Sequence, residues 1–469
     1  MRCLRSVAAD SPVTASIERP KVVVLEDPFL QALAAKIREW SLGDIAASKY
    51  AVAFSGGLDS TLLLTAICRL GIRDSLRALH IDHALHPQSG TWETHCRATA
   101  QSLGVGYESA RVDVRVASGL GVEAAAREAR YHALAQLLLP GEILLTAHHG
   151  DDQLETVLFR MLRGSGVRGL RGIVEVGRFG RGYLARPLLG FSKAELHAHA
   201  QRWQLCWLED PANQSIAHDR SLLRLQIIPK LRERWPAAPR MAQRLAQQMA
   251  DAEEILEAMA VHDARNLASV DRVPRVALAT LAPSRQRNLL RHLIREAGLP
   301  MPSARQLENL RESLLAARPD AQTRIRWPGG EGRVYRDCLY LFEPLPVGSS
   351  ADYQTGLVTR SRWSGPEGCI GFEPIEGPGL PQSWLEAGLT LRFRVGGERF
   401  QPLNRAASLP LKRWLQHEGV LPWMRGRIPL LYRGERLVAV ADVWVDEAVR
   451  AAPAEPRWRV SWTEHPPIR

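Results

Sequence analysis

Lysine is scarce in this chain. Only six (Lys21, Lys36, Lys49, Lys193, Lys230 and Lys412) occur among 469 residues, and none follows a glycine. A Walker-type phosphate loop needs Gly-Lys-Ser/Thr, with the lysine reaching the terminal phosphates, so that route to nucleotide chemistry is excluded. Cysteine is equally sparse: Cys3, Cys68, Cys96, Cys206, Cys338 and Cys369 stand far apart, with no C-x-x-C step and no Cys/His spacing of a zinc site. That pattern excludes a disulfide framework and predicts a reduced, cytoplasmic protein. Long apolar runs are missing too. None approaches the ~18 residues of a membrane span, and residues 1–20 lack the apolar core of a signal peptide, which makes them an extension outside the fold.

Arginine is abundant. It numbers 55 and, against 50 acidic residues, leaves a formal charge of +11. A guanidinium forks onto phosphate oxygens, so the excess suits a polyanionic partner, although a GC-rich coding sequence gives the same bias. The charge is concentrated: Arg160–Arg186 holds seven arginines against Glu175, and Arg392–Arg427 holds seven arginines and Lys412 against Glu398 and Glu418. Two such stretches suit a two-point polyanion contact; solvated surface is the alternative. With 45% hydrophobic and 24% charged residues the chain is ordinary globular material, long enough for two to four domains of roughly 100–200 residues.

From Lys49 onward short apolar runs alternate with helical patterns. Tyr50–Phe54, Ser75–Ile81, Gly106–Val114, Ile143–Ala147 and Tyr183–Leu188 read as strands, with helices over Ser60–Leu70, Thr94–Leu103, Val122–Leu139 and Asp152–Arg163. This alternation predicts a parallel sheet with helices on both faces and a ligand at the carboxyl ends of the strands. Residues 236–318 read as helical, and short strands follow Arg324. Residues 345–390, dense in Gly and Pro, read as a linker or loop-rich entry. Thr390–Val395 and Pro429–Val445 read as strands around a helix at Leu411–Glu418, with a hairpin tip at Arg433-Gly434.

The chemistry-bearing segment is Ser55-Gly56-Gly57-Leu58-Asp59-Ser60, directly after the first strand and before a helix. Glycines admit close backbone approach, the first-turn amides point out unpaired, and Ser55 and Ser60 add hydroxyls, so the loop can wrap a pyrophosphate-sized anion. A carboxylate beside such a cradle is repulsive unless a cation intervenes, which makes Asp59 a ligand for Mg²⁺. His80 and Asp82 end the second strand beside this loop, either at the nucleotide or as a satisfied polar strand end. With a helix starting near His148, the residues His148, Asp152 and Glu155 share one face, opposite Leu154, Leu158, Met161 and Leu162. Such a set could coordinate Mg²⁺, hold an ammonium and move a proton. Arg127 and Arg130 could steer phosphates or RNA, or Arg127 could pair with Glu123. Arg163, Arg168 and Arg171 flank a glycine-rich segment suited to phosphate backbone. Arg220 and Arg224 follow Glu209-Asp210-Pro211-Ala212-Asn213, and Lys412, Arg413, Arg425 and Arg427 lie beside Trp414 and Trp423, either as an RNA-stacking surface or around core tryptophans.

Strand, SGGLDS and helix resemble the PP-loop ATP pyrophosphatases. With HIDHAL, EAAAREARY, TAHHGDDQLET, RGSGVRGL, RPLL, EDPAN and LKRWL…PWMRGRIPLL in this order, the chain from about residue 48 resembles the bacterial tRNA(Ile)-lysidine synthetases. The resemblance implies an α/β fold: a parallel-sheet PP-loop (HUP-like) nucleotide-binding domain over residues 21–232, a helical domain over 233–345, a linker over 346–389 and a small α+β domain over 390–469. It implies that ATP adenylates the wobble cytidine of the CAU-anticodon isoleucine tRNA, and that free L-lysine then displaces AMP. It places Ser55–Ser60 at the pyrophosphate with Asp59 near Mg²⁺, and His148, Asp152, Glu155 and an arginine of the Arg127/Arg130 helix in the active site. It also places there an arginine of the Asp219–Arg224 segment. Free lysine's ammonium needs a carboxylate, for which Glu155 or Asp152 is the candidate; the base that deprotonates the amine is not identified. Ser221 stands where the family commonly has Asn, and His86 where it often has Arg. A different PP-loop ligase such as a thiolase, or an RNA-binding relative without activity, are the alternatives. No membrane partner is expected, and the oligomeric state, a homodimer included, is open.

Overall fold

Tyr50–Ala53 (β1) is almost wholly apolar because it becomes an inner strand covered on both faces. The computed structural model describes residues 27–40, 49–82, 89–113, 122–209, 219–316, 323–346, 356–358, 362–451, 455–466 and 468. It divides into two compact units, one ending at Ile255 and one beginning at Leu256.

The first unit runs α1 (Pro28–Trp40), β1, α2 (Leu58–Arg69), β2 (Leu76–Asp82), α3 (Ser89–Ser102), β3 (Gly106–Arg111), α4 (Val122–Leu137), β4 (Ile143–Leu145), α5 (Gly150–Leu162) and α6 (Val167–Leu170). It continues through β5 (Val176–Phe179), β6 (Gly182–Ala185), α7 (Lys193–Arg202), α8 (Asp219–Leu222) and α9 (Ile228–Arg234) into α10 (Ala238–Ala264). The sheet order is β3-β2-β1-β4-β6-β5, parallel except for β5 at the edge. The sixth strand ends at Ala185, before Arg186-Pro187, because a proline cannot donate to the ladder. Leu33, Ile37, Leu63, Ile67 and Leu196 cover one face. Leu134 and Leu138 cover the other against Ala51, Leu79 and Leu144. Since β1 pairs with β2 on one side and β4 on the other, the connection reverses between β1 and β4, and the loops after these strands face one crevice.

Helix α5 buries Leu154 and Val157 against Ile228, Ala242 and Ala246. The expected apolar face is shorter than its sequence pattern: Met161 is 52% and Leu162 70% exposed, outside that seam. Residues Leu223–Ile227, between α8 and α9, form a π turn. Pro229 lacks an N–H and its ring would strike the carbonyl four residues back, and the widened turn accommodates it.

In the second unit, β7 (Arg272–Pro274), α11 (Arg275–Ala279), α12 (Pro283–Glu296), α13 (Ala304–Leu315), β8 (Arg324–Trp327), β9 (Gly330–Tyr335) and β10 (Cys338–Phe342) give an antiparallel sheet, order β7-β10-β9-β8. Leu289, Leu293, Leu307 and Leu310 pack on its inner face with Val334 and Leu339. The segment expected to be a linker is corrected over its described residues. Trp363–Gly365 (β12), Gly368–Ile375 (β13), Leu380–Pro381 (β14) and the helix Gln382–Ala387 (α14) are regular, with β11 (Gly356–Val358) before them. Ile370, Leu380, Trp384 and Leu385 belong to the C-terminal core. Glycine there serves close packing, not looping: a Cβ on Gly371 would stand 2.8 Å from Ser461 Oγ. The same core includes Tyr335, Cys338 and Tyr340, so it draws β9 and β10 into it. The chain ends in β15 (Leu389–Arg392), β16 (Arg399–Phe400), β17 (Leu409–Pro410), α15 (Leu411–His417), β18 (Leu430–Arg433), β19 (Arg436–Val440), β20 (Trp444–Val445) and β21 (Arg457–Thr463). Arg433 faces Arg436 across the β18–β19 hairpin, and Gly434 at its tip has φ 58°.

Candidate active site

After β1 the chain turns through Ser55-Gly56-Gly57 into α2. Gly56 has φ 78°, and a Cβ there would stand 2.8 Å from Cys96 Sγ, so only glycine fits. Gly57 caps the helix in extended conformation without a side-chain hydrogen bond, leaving first-turn amides available to an anion. Ser55 is exposed and Ser60 buried. Ser60 Oγ donates to Gly57 O at 3.1 Å and lies 3.1 Å from Ser55 Oγ. Ser60 therefore braces the loop, and Ser55 is the hydroxyl open to a ligand.

Opposite stands the N-terminus of α5, and here the sequence expectation is corrected. The helix begins at Gly150 with His149 as its cap, so His148 precedes it and does not share its face. His149 Nδ1 accepts from Asp152 N–H at 3.4 Å, and Asp152 Oδ2 accepts from His149 N–H at 3.0 Å. This reciprocal pair is a capping box with histidine in the usual Ser/Thr place. With Nδ1 accepting, the ring proton belongs on Nε2, which lies 3.5 Å from Asp152 Oδ2 and 3.7 Å from Asp59 Oδ2.

Their surroundings shift the three carboxyls in different directions. Burial pushes Asp59 above the ordinary range, His149 opposes it and Asp152 adds to it, and Asp59 Oδ1 is buried without a hydrogen-bond partner. Burial also raises Asp152, but His149, the His149 amide and Arg224 outweigh it and hold this carboxyl low. Glu155, 3% exposed, is raised by burial against Arg224, which binds it through Nε at 2.9 Å and Nη2 at 2.8 Å; Arg220 stands 3.9 Å away. Arg224 lies in the π turn, which puts a local irregularity at the site. His148 bonds Thr146 Oγ1 at 2.9 Å and is pushed down to about 3, by burial and by Arg186, Arg127 and Arg130 against the pull of Asp152. It therefore stays neutral.

The other expected residues divide. His80 is buried, its Nδ1 2.9 Å from Phe54 O, and it clips β2 to the end of β1. Asp82, at the end of β2, has Arg111 at 4.0 Å. Arg127 is exposed over the Tyr131 ring, and burial lowers the pKa of half-buried Arg130. The Glu123 side chain, His83–Leu85, His86 and Asp210–Asn213 lie outside the described residues. Arg163 is exposed over Phe159, which also carries Arg220. Arg168 pairs with Glu253 at 3.1 Å, and Arg171 lines a cavity of about 400 Å³ with Arg160, Ser165 and Arg168. In the second unit Lys412 and Arg413 are exposed on α15. Arg425 and Arg427 are corrected: Arg425 donates to Val420 O and Tyr335 Oη, and Arg427 to buried Glu367 at 2.7 Å and to Pro346 O. Trp414 is a core residue, and Trp423 packs on the same core, so neither presents the expected stacking surface.

Sequence reasoning missed His149, Asp151 and Arg232. Asp151 accepts from Lys193 N–H and from Arg232, both at 2.7 Å, tying α5 to α7 and α9. The signal for His149 was its three-residue spacing to Asp152; the Asp151 contacts have none, being 42 and 81 residues away. Glu257, His292 and Glu296 also approach within 4.8 Å of one another, but Glu257 already accepts from Arg295 at 2.6 Å and bonds His292 at 2.7 Å.

A glycine loop between parallel strand and helix, with carboxylates facing it at the switch point, defines a PP-loop ATP-utilising enzyme. Family models agree: residues 30–231 match the PP-loop domain, 274–340 the TilS substrate binding domain and 389–462 the TilS substrate C-terminal domain. The tRNA(Ile)-lysidine synthase of Alkalilimnicola ehrlichii is 41% identical over 90% of this chain and 95% of its own length. The enzymes of that name from Methylococcus capsulatus and Coxiella burnetii are 37% and 35% identical, covering 89% and 88% of this chain and 96% and 93% of their own. The chain belongs to the tRNA(Ile)-lysidine synthase family. No helix among the described residues is long and apolar enough to cross a membrane.

Proposed function

We propose that the chain is an ATP-dependent ligase that makes lysidine at the wobble cytidine of the CAU-anticodon isoleucine tRNA. The cytidine O2 attacks the α-phosphorus of ATP and pyrophosphate leaves. The side-chain amine of free L-lysine then attacks C2, and AMP departs with the oxygen. The observation that carries this reading is the open phosphate loop with its own carboxylate, Asp59, in the first turn of α2, whose inner oxygen has no partner.

Ser55 and the first-turn amides of α2 hold the pyrophosphate. Asp59 and Asp152 offer hard oxygen donors that fit Mg²⁺, which would offset the triphosphate charge. The buried, unpartnered Asp59 Oδ1 supports that fit. His149 keeps the two carboxylates aligned from the helix cap. The lysine ammonium takes Glu155 or Asp152 as its carboxylate; Arg224 reaches both, at 2.8 Å and 3.7 Å. Neutral His148 offers the substrate a hydrogen bond without charge. Arg127 and Arg130, whose charges reach His148, would steer the ATP phosphates. Arg163, Arg168, Arg171 and Arg220 serve the anticodon loop, and Lys412 and Arg413 the tRNA body, in the cytoplasm where these substrates occur.

Incubation with ATP, Mg²⁺, radiolabelled lysine and the CAU-anticodon tRNA should transfer label to RNA, with one AMP released per lysine. A folded protein that leaves the RNA unlabelled would overturn the reading.

A further inference from the structure

Outside the ATP site, one cluster carries more positive charge than its fold requires. Arg324 and Arg326 alternate along β8 and share a face; across the hairpin Arg324 stands opposite Arg333 and Arg326 opposite Glu331. The intervening Ile325 and Trp327 point to the helix side. Glu331 is fully buried, and all three arginines converge on it. Arg324 binds both carboxylate oxygens at 3.1 Å, and Arg326 and Arg333 bind one each at 2.5 Å. One guanidinium would neutralise it, as Arg427 does for Glu367 and Arg436 for Asp446. Among the described residues no second carboxylate joins them, so three leave two surplus charges, and crowding like charges is unfavourable unless an anion joins them.

The cluster is built to meet such an anion. Each guanidinium has five N–H donors and Glu331 engages a minority, so most remain. Side chains of Arg324 and Arg326 are 43% and 40% exposed. The carboxylate fixes their direction, which lowers the ordering cost of binding. On the same face, Tyr340 stands opposite Arg333 and Phe342 opposite Glu331, and the Arg333 guanidinium sits 5.0 Å from the Trp423 ring centre. Guanidiniums gathered on one face of a sheet, with the aromatic rings already engaged, suit phosphate oxygens and not base edges.

We infer that the β8–β9 hairpin is a phosphate-backbone contact for the substrate tRNA, formed by Arg324 and Arg326 and organised by Glu331, with Arg333, 17% exposed, as a further ligand of that carboxylate. The inference rests on the proposed function for the identity of the RNA. It predicts that Arg324→Gln/Arg326→Gln weakens binding of the CAU-anticodon tRNA about tenfold and lowers the salt slope by roughly 1.4–1.8, the loss of two phosphate contacts. KM for tRNA should rise while KM for ATP and kcat stay unchanged. Arg324→Lys/Arg326→Lys, which keeps the charge, should retain most of the slope and serves as the control for folding. Unchanged tRNA affinity and slope in the glutamine variant would reduce the cluster to a clip between strands and overturn the inference. That result leaves the ligase reading intact, because wild-type lysidine formation is scored separately. Loss of slope in both variants alike would also overturn it, since a displaced hairpin and not lost charge would be the cause.

Discussion

His149 Nε2 lies 3.7 Å from Asp59 Oδ2 and 3.5 Å from Asp152 Oδ2, so one imidazole at the cap of α5 links the carboxylate of the phosphate-loop helix to that of the facing helix. It joins the two loops that emerge at the switch point of the sheet. Burial still raises Asp59, and this imidazole opposes it by favouring the charged form that a cation needs.

Asp59→Asn should stabilise the ligand-free protein while abolishing ATP-dependent adenylation. The folded-state pKa of Asp59 is raised above its unfolded value. A raised carboxyl favours folding only below the unfolded pKa, and that contribution is lost as pH rises through the folded one. At neutral pH the ionised group is a cost that asparagine removes. Melting temperatures at neutral pH should therefore rank the variant above wild type, with the gap closing below about pH 4. tRNA binding should survive; its loss in parallel with adenylation would contradict the role at the phosphates.

His148 predicts the opposite slope. Its pKa is pushed down to about 3 in the folded state, whereas an unfolded histidine takes up a proton near pH ~6.5. Its contribution is complete above the unfolded value and is lost as pH falls toward the folded one. Between these limits, denaturant unfolding of His148→Gln should show a shallower loss of stability than wild type. Parallel curves would mean that His148 is not held neutral.

Glu155 and Arg224 should be strongly coupled. Removing Arg224 leaves a carboxylate that is 3% exposed without its main partner. Because Arg224 is itself 46% exposed, the cost is about 1–3 kcal/mol, below that of a fully buried pair. In a double-mutant cycle, Glu155→Gln with Arg224→Gln should cost less than the two singles combined. Strict additivity would deny the pairing.

Arg427→Ala should act on the fold. It strips Glu367, whose side chain is 4% exposed, of its guanidinium, at about 3 kcal/mol or more. Chemical denaturation should register the change, and the salt dependence of tRNA binding should stay near wild type. Lys412→Ala/Arg413→Ala should show the reverse pattern, with stability kept and the salt slope reduced.

Motifs whose chemistry is local in sequence were legible. Ser55–Ser60 needs only a strand before it and a helix after it, and Gly56 has the positive φ its position demanded. Asp152 and Glu155 were found because helical spacing of three sets them on one face. His148 was assigned to the wrong side of a helix start by two residues, because a histidine cap is an uncommon substitute for serine or aspartate. Glycine and proline punctuate loops, so residues 346–389 read as a linker in the sequence. In β13 the glycines instead admit β21 at short range, a fact that depends on a strand some ninety residues later.

The sequence by itself determined the phosphate loop, the alternating strand and helix order, and where arginine is plentiful. Those properties follow from nearest neighbours and short periods. Only the tertiary structure decided which arginines are free. Arg425 and Arg427 sit in a basic run yet are spent on Tyr335, Val420 and Glu367, while Arg324, Arg326 and Arg333 gather on one buried carboxylate. The reason is physical. A charge is available to a partner only if the fold has not already met it, and which carboxylates end up buried beside it is set by long-range packing.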